Sequence, residues 1–246
     1  MSRTSFVAAV LQTAETARIA VPTMLEGMLR GGTDRHRVDR RIERWAQKGA
    51  RLSEMRVETL GLEHIDERET YVVMSNHQSN WDIIALYYAF PHTLRMVAKM
   101  EMRRIPLMGT AMEHAEFVFV DRTDKRQAFK AIRLAEQRIR SGVNVWIAPE
   151  GTRSRDGRLG PFKKGGFIMA LDTRTRILPC TLEGTRRVVP PGAATIRKRV
   201  PVRVQFHPPV DPQEWGHERR DELVAHVRDI IASALPRELR ESDAIR

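Results

Sequence analysis

From Arg56 onward the chain alternates short apolar runs with longer stretches of helical periodicity, and few architectures accommodate that alternation. Arg56 to Leu60, Tyr71 to Ser75, Leu94 to Ala98, Phe117 to Val120, Val143 to Ala148 and Ile177 to Leu182 read as strands. Helices are predicted over Asp82 to Phe90, Lys125 to Arg140, Gly166 to Leu171 and Glu218 to Leu235. In the second of these Phe129, Ile132, Ala135 and Ile139 point inward; in the last, Val224, Val227, Ile231 and Leu235 do. Val200, Val202, Val204 and Phe206 alternate with Pro201, Arg203 and Gln205, the pattern of a half-exposed strand near an edge. The pattern specifies an α/β fold: a single domain with a central mostly parallel or mixed β-sheet flanked by helices and preceded by N-terminal amphipathic helices. No linker divides residues 56–235, and residues 236–246 read as a charged, frayed tail.

Residues 1–55 differ in character. Residues 4–29 have helical spacing interrupted at Pro22, with Phe6, Val7, Val10, Leu11 and Ala14 on one face and Gln12, Glu15 and Thr16 away from it. Gly31-Gly32 ends this segment, and Thr33 or Asp34 can cap a second helix. That helix has an apolar stripe of Val38, Ile42, Trp45, Ala46, Gly49 and Leu52, while its other faces carry Arg35, Arg37, Arg40, Arg41, Arg44, Lys48 and Arg51. Alone, it reads as a solvated helix packed through its stripe. Paired with the apolar helix before it, it suits attachment to an anionic membrane surface.

The chain of 246 residues carries a net charge of +11, which implies polyanionic neighbours: nucleic acid, anionic headgroups or phosphorylated substrates. Aromatic residues are only 6%, and none interleave with Arg or Lys as a base-stacking platform requires, so a nucleic-acid partner is disfavoured. The single cysteine, Cys180, excludes an internal disulfide. No run approaches the roughly 20 apolar residues of a membrane span, and Phe6 to Leu11 is too short for a secretory signal. The expectation is a protein peripheral to the cytoplasmic face of a membrane.

Chemistry-bearing residues gather at strand ends, where open α/β sheets place ligands. Asn76-His77-Gln78-Ser79-Asn80-Trp81-Asp82 follows the Tyr71–Ser75 strand and opens a helix. A carboxylate that holds one imidazole nitrogen leaves the other free to take a proton. On its own such a pair is more often structural than catalytic. Phe117 to Arg122 ends another strand in Asp121-Arg122, and a guanidinium there suits phosphate as well as it suits an acidic neighbour. Ala148-Pro149-Glu150-Gly151-Thr152-Arg153-Ser154 turns sharply after a third, and Pro161 to Gly166 adds cations. Pro179, inside Ile177-Leu178-Pro179-Cys180, suggests an edge strand or a bulge. Ser75 and Ser79 lie close to His77, but no Gly-x-Ser-x-Gly elbow exposes either. Metal binding by His77, Asp82, His114 and Glu116 finds no supporting spacing.

In this order, the four stretches resemble the glycerolipid acyltransferases of the 1-acylglycerol-3-phosphate acyltransferase family, over roughly residues 36 to 210. Asn76, His77 and Asp82 match that family's Asn-His-x4-Asp motif. Glu116 to Arg122 resembles Gly-x-Ile-Phe-Ile-Asp-Arg, Ala148 to Ser154 resembles Phe-Pro-Glu-Gly-Thr-Arg-Ser, and Ile177 to Cys180 resembles the apolar strand with a Pro. Glu116 stands where the family has Gly, and Ala148 where it has Phe. The resemblance implies that His77 is a general base oriented by Asp82, acting on a lysophospholipid acceptor hydroxyl that attacks an acyl thioester. It implies acceptor-phosphate contacts at Arg122, Glu150, Gly151, Thr152 and Arg153, with Lys99 as a further one. No metal or cofactor is implied beyond acyl-CoA or acyl-acyl carrier protein as donor substrate. Glu116 would bring a negative charge to the phosphate site, which keeps another acceptor, such as a lyso-aminolipid, in view. A basic nucleic-acid-binding protein is the alternative from another class, and it leaves the ordered motifs unexplained.

Overall fold

In the computed structural model of the chain, residues 4–121, 125–190 and 192–240 are described. Nine α-helices and nine strands are distinguished among them, besides three short 3-10 turns. They follow in the order β1 (Thr4–Ser5), α1 (Phe6–Arg30), α2 (Arg35–Leu52), β2 (Arg56–Leu60), β3 (Val72–Ser75), α3 (Trp81–Ala89), β4 (Leu94–Lys99), α4 (Met100–Arg103), α5 (Met108–His114), β5 (Val118–Val120), α6 (Lys125–Arg140), β6 (Asn144–Ile147), α7 (Gly165–Thr173), β7 (Ile177–Glu183), α8 (Thr185–Val188), β8 (Ile196–Arg197), β9 (Pro201–Phe206) and α9 (Arg220–Ser233).

Seven strands form one mixed sheet in the order β2-β9-β7-β3-β6-β4-β5, and β1 pairs with β8 apart from it. All ladders of the large sheet are parallel except β7 with β9. The continuous apolar runs follow from burial on both faces. In β3, Val73 joins the core under α2 and α3, while Val72 and Met74 join the core under α6, α7 and α9. β9 alternates exposed and buried residues and lies next to the edge strand β2, as its pattern implied.

Pro179 is a correction to the sequence reading, because β7 lies inside the sheet between β9 and β3. The Pro179 carbonyl accepts from His207 N at 2.9 Å, just beyond the end of β9. The donor that the ring denies would face the same way, where antiparallel pairing shifts by one residue before the Ile177–Val210 bridge, so the expected bulge is present beside Pro179 and the expected edge is not.

Pro22 does not interrupt the first helix either: α1 is continuous, with Pro22 inside it. Packing against α2 and α5 holds it together. Its orientation is the reverse of an ordinary surface helix. The buried positions include Gln12, Thr23 and Glu26, while Phe6, Val7, Val10, Leu11, Met28 and Leu29 are exposed. Arg37 and Arg41 pair with the buried Glu26 at 3.0 and 2.8 Å, fastening α2 to α1. Asp34, not Thr33, caps α2, accepting from Arg37 N at 2.7 Å. Thr33 instead donates to the His114 carbonyl at 2.6 Å.

Residues 236–240 belong to the folded unit: Leu159 N donates to the Leu239 carbonyl at 2.8 Å and Arg228 reaches the Arg240 carbonyl. The expected frayed tail therefore does not include residues 236–240, and residues 241–246 lie outside the described residues. Among the described residues no helix is long and apolar enough to cross a membrane.

Candidate active site

β3 delivers the chain to the carboxyl edge of the sheet, and Asn76 fixes where it turns. Its side chain donates to the Leu182 carbonyl and accepts from Leu182 N, both at 2.8 Å, a reciprocal clasp that ties the turn to β7. His77 and Asp82 come together as expected, with His77 Nδ1 and Asp82 Oδ2 2.7 Å apart. Asp82 sits in the first turn of α3 and is fully buried. Its Oδ2 also accepts from Gln78 N at 2.7 Å and Ser79 N at 2.9 Å, so the carboxylate closes the loop that carries the imidazole. Its Oδ1 accepts from the Thr185 hydroxyl at the start of α8. With every other hydrogen on this carboxylate supplied to it, the imidazole donates through Nδ1, which leaves Nε2 as the basic nitrogen. No group among the described residues bonds Nε2. The indole of Trp146 meets the imidazole edge-on at 6.2 Å and is itself held by Ser75 Oγ at 2.9 Å.

Neither nearby serine is presented for attack. Ser75 is buried, donating to the Asn76 carbonyl and accepting from Trp146, and Ser79 is buried against Val189. Of the four residues weighed for a metal, only His77 and Asp82 meet, and among the described residues no three such side chains gather. His114 lies against Gly27, and Glu116 faces Arg35 and Arg138.

Glu150 takes a different part from the one expected. One carboxylate oxygen accepts from His77 N at 2.7 Å and the other from Gly160 N at 2.9 Å, so it clamps the His77 turn to the 148–160 loop rather than facing a substrate anion. Burial is the largest influence on it and raises its pKa, against the two backbone donors that lower it. Ser154 N donates to the His77 carbonyl at 2.8 Å and Gln78 Nε2 to the Gly157 carbonyl at 3.0 Å, completing the zipper between the two loops.

His77 borders a cavity of about 660 Å³. Gly151, Thr152, Arg153 and Lys99 border it too, so four of the expected substrate contacts share one space with the imidazole. Gly151 has φ +76°, which favours glycine, and a Cβ there would stand 2.9 Å from Lys163 Cε, the flexible end of a side chain that can move aside. Lys163, read from sequence only as one of several loop cations, thus lies across this turn. Arg122 falls outside the described residues. Away from the cations the walls are mostly apolar, built from α1, α2, α3, α5 and β4 by residues such as Ala20, Ile42, Ile84, Met96 and Met112.

Glu116 corrects a second expectation. It adopts φ +68°, the left-handed conformation that explains a glycine in the motif it resembles. Its carboxylate receives Arg35 Nε at 2.8 Å, Arg35 Nη2 at 3.0 Å and Arg138 Nη1 at 2.9 Å, and the Arg35 bonds hold its pKa below the usual range. It brings no charge to the cavity. Sequence reasoning missed Thr185, whose only signal was a Gly-Thr pair directly after β7.

Comparisons with known proteins give the family. A 1-acyl-sn-glycerol-3-phosphate acyltransferase of Borreliella burgdorferi is 30% identical, with 75% of this chain and 73% of that protein aligned. The chloroplastic 1-acyl-sn-glycerol-3-phosphate acyltransferase of Brassica napus is 36% identical over 71% of this chain, and the match spans about half of that relative, 49%. The crystal structure of the 1-acyl-sn-glycerophosphate acyltransferase PlsC from Thermotoga maritima superposes with a TM-score of 0.72 at 30% identity, covering 90% of this chain and 92% of that one. The family described as Acyltransferase matches residues 56–183, which hold His77, Asp82 and the 148–154 turn, and the chain belongs to that family.

Proposed function

We propose that the protein transfers a fatty acyl group from an acyl-CoA or acyl-acyl carrier protein thioester to the free hydroxyl of 1-acyl-sn-glycerol 3-phosphate, giving phosphatidic acid. The observation that carries this reading is the His77–Asp82 pair at the border of an apolar cavity that also has Lys99 and Arg153 on its border. The acceptor oxygen forms its bond to the thioester carbonyl carbon while its proton passes to His77 Nε2. Asp82 stabilises the imidazolium through Nδ1–H. Collapse of the tetrahedral adduct breaks the C–S bond, and the departing sulfur takes the proton back from Nε2. Serine nucleophiles have no part in it. Lys99 and Arg153 supply charge for the acceptor phosphate, and the apolar walls take a lipid chain at about 0.8 kcal/mol per buried methylene.

The outward row of Phe6, Val7, Val10 and Leu11 on α1 suits insertion into the headgroup region of an anionic bilayer, where both lipids partition. A lyso-aminolipid acceptor loses its motive, because Glu116 is engaged by Arg35 and Arg138.

Purified protein given lysophosphatidic acid and either thioester should release thiol and form phosphatidic acid. Full activity in His77→Ala would sink the mechanism, and a clear preference for a phosphate-free acceptor would remove the roles given to Lys99 and Arg153.

A further inference from the structure

β4 ends in Lys99 at the cavity border, and α4 follows directly. Between α4 and α5 the chain reads Arg104-Ile105-Pro106-Leu107, and all four residues are exposed. Ile105 is 44% and Leu107 47% exposed, yet Ile105 also borders the cavity, with Met102 and Met108 on either side of it in the chain. Leu107 adopts φ +63° and ψ −50°, and Met108 N donates to the Pro106 carbonyl at 2.7 Å. This is a γ-turn with positive φ at its centre, a conformation that is rare and strained for a residue with a side chain.

The tip is firmly built. Ile105 N donates to the Met102 carbonyl at 3.2 Å, Gly109 N to the Ile105 carbonyl at 2.9 Å and Ala111 N to the Leu107 carbonyl at 3.0 Å. A Cβ on Gly109 would strike the Arg103 carbonyl, so glycine lets α5 close on α4. A fold that strains a leucine and then turns it to water gains nothing from that side chain; an apolar phase outside the protein would. The surroundings say which phase. Through Ile105 the tip is continuous with the mostly apolar cavity. α5 packs on α1 with His114 against Gly27, and α1 exposes Leu25, Met28 and Leu29 around that contact. Arg103 and Arg104 precede the tip; Arg103 is tied to Glu113, and Arg104 has no ion-pair partner among the described residues. Cations beside an apolar tip suit anionic headgroups. Two apolar side chains are far too few for a specific protein interface, whereas a bilayer takes up single side chains.

We infer that Ile105 and Leu107 form a second insertion point, separate from the outward row of α1, which seats the edge of the cavity in the headgroup region of an anionic bilayer. The inference rests on the acyltransferase reading for the lipid nature of the cavity's occupant. The tip lies six to eight residues after Lys99, at the same strand end, so its insertion sets the depth of the phosphate-binding cations as well. A lipid chain then passes from bilayer to cavity along Ile105 without crossing water.

The test uses the full chain and vesicles of phosphatidylglycerol with phosphatidylcholine. Cys180 is buried, so an environment-sensitive thiol dye labels Leu107→Cys at the introduced sulfur. Its emission should shift to shorter wavelength when vesicles are added. The same dye on Ala225→Cys, exposed on α9 across the sheet, should not shift. In the unlabelled protein, Leu107→Gly and Ile105→Ser should each weaken vesicle binding by about tenfold, the value of one apolar side chain. Leu107→Gly should keep or raise the melting temperature, because glycine takes that turn without strain, which also reports that it folds. Arg104→Ala should weaken binding to these vesicles about fivefold and leave binding to pure phosphatidylcholine unchanged. No shift at position 107, equal binding by the wild type and Leu107→Gly, or a shift given by purified acyl carrier protein and not by vesicles overturns the inference. Absence of thiol release in the activity assay, with the shift at position 107 intact, sinks the acyltransferase reading and leaves the insertion point standing.

Discussion

Thr185 holds the face of Asp82 that His77 does not use: its hydroxyl donates to Oδ1 from 103 residues further along the chain, while Oδ2 meets the imidazole. The carboxylate is thereby fixed from both sides, and the ring orientation depends on a residue that touches neither the imidazole nor the cavity border. Thr185→Val should lower kcat by about 10- to 100-fold, the value of a hydrogen bond to a buried charge, with KM nearly unchanged. His77→Ala should lose at least about 100-fold. Steady-state kinetics of thiol release separate the two, and a Thr185→Val enzyme with normal kcat would remove Thr185 from the relay.

Glu150 gives a pH signature. Burial raises its folded pKa above the ordinary 4.5, so the fold favours the neutral form. The folded state then binds the extra proton between the two values. Its contribution to stability is full below 4.5 and falls as pH rises through the folded pKa. Glu150→Gln should remove that component. It should also lose about 1–3 kcal/mol, because one of the two backbone donors then faces an NH2 group. Urea unfolding of both proteins from pH 4 to 8 should show the stability advantage of the wild type shrinking as pH rises. An advantage that grows with pH contradicts the assignment.

Glu116→Gly relieves a left-handed backbone at a cost of three bonds to Arg35 and Arg138. Strain of about 1–2 kcal/mol for a non-glycine residue is set against partly exposed ion pairs worth about 0–1 kcal/mol each. The net change in stability should lie within about 1 kcal/mol of zero. The ratio of kcat/KM for lysophosphatidic acid to that for a phosphate-free lysolipid should not move, since Glu116 is turned away from the cavity. A shifted ratio would return it to acceptor selection.

Arg153→Ala should raise KM for lysophosphatidic acid by about 10- to 100-fold, as the loss of a charge-assisted contact to phosphate predicts. KM for a phosphate-free acceptor should stay within about twofold, the span of a neutral surface change. An equal rise for both acceptors would make Arg153 a scaffold residue.

The bilayer attachment is best tested by substitution. Removing residues 1–32 would take away the exposed apolar row and, with Gln12, Thr16, Ile19, Ala20 and Thr23, one wall of the cavity. Phe6→Ser with Val10→Ser leaves that wall in place. Losing two apolar side chains at about 1.5–3 kcal/mol each should weaken sedimentation with anionic vesicles by well over tenfold. Unchanged sedimentation would show that α1 is a packing element only.

What could be read from the sequence was local. His77 and Asp82 are five residues apart on one strand-to-helix turn, so spacing alone brought them into reach. The apolar runs marked the strands because burial on both sheet faces leaves no polar position to confuse the pattern. What could not be read depends on distant partners. Glu150 looked like a substrate ligand until His77 N and Gly160 N claimed its oxygens. Pro22 looked like a break and Pro179 like an edge strand or a bulge, because their settings depend on neighbouring helices and on how β7 pairs beyond β9. Gln12 was placed on the polar side of α1, and that side faces inward. Helical periodicity reports which residues share a face, not which face the fold covers.

The tie between Asp82 and Thr185 also sets a schedule. Ribosomal synthesis proceeds at about 5–20 residues per second, so the carboxylate waits on the order of 5–20 seconds for its hydroxyl partner. The Asn76 clasp on Leu182 closes only shortly before. Until β7 arrives, the nascent chain has only the local bonds of Asp82 to His77, Gln78 and Ser79, without the ties that Leu182 and Thr185 add. Chemical competence therefore arrives late and all at once, when most of the protein has already been made.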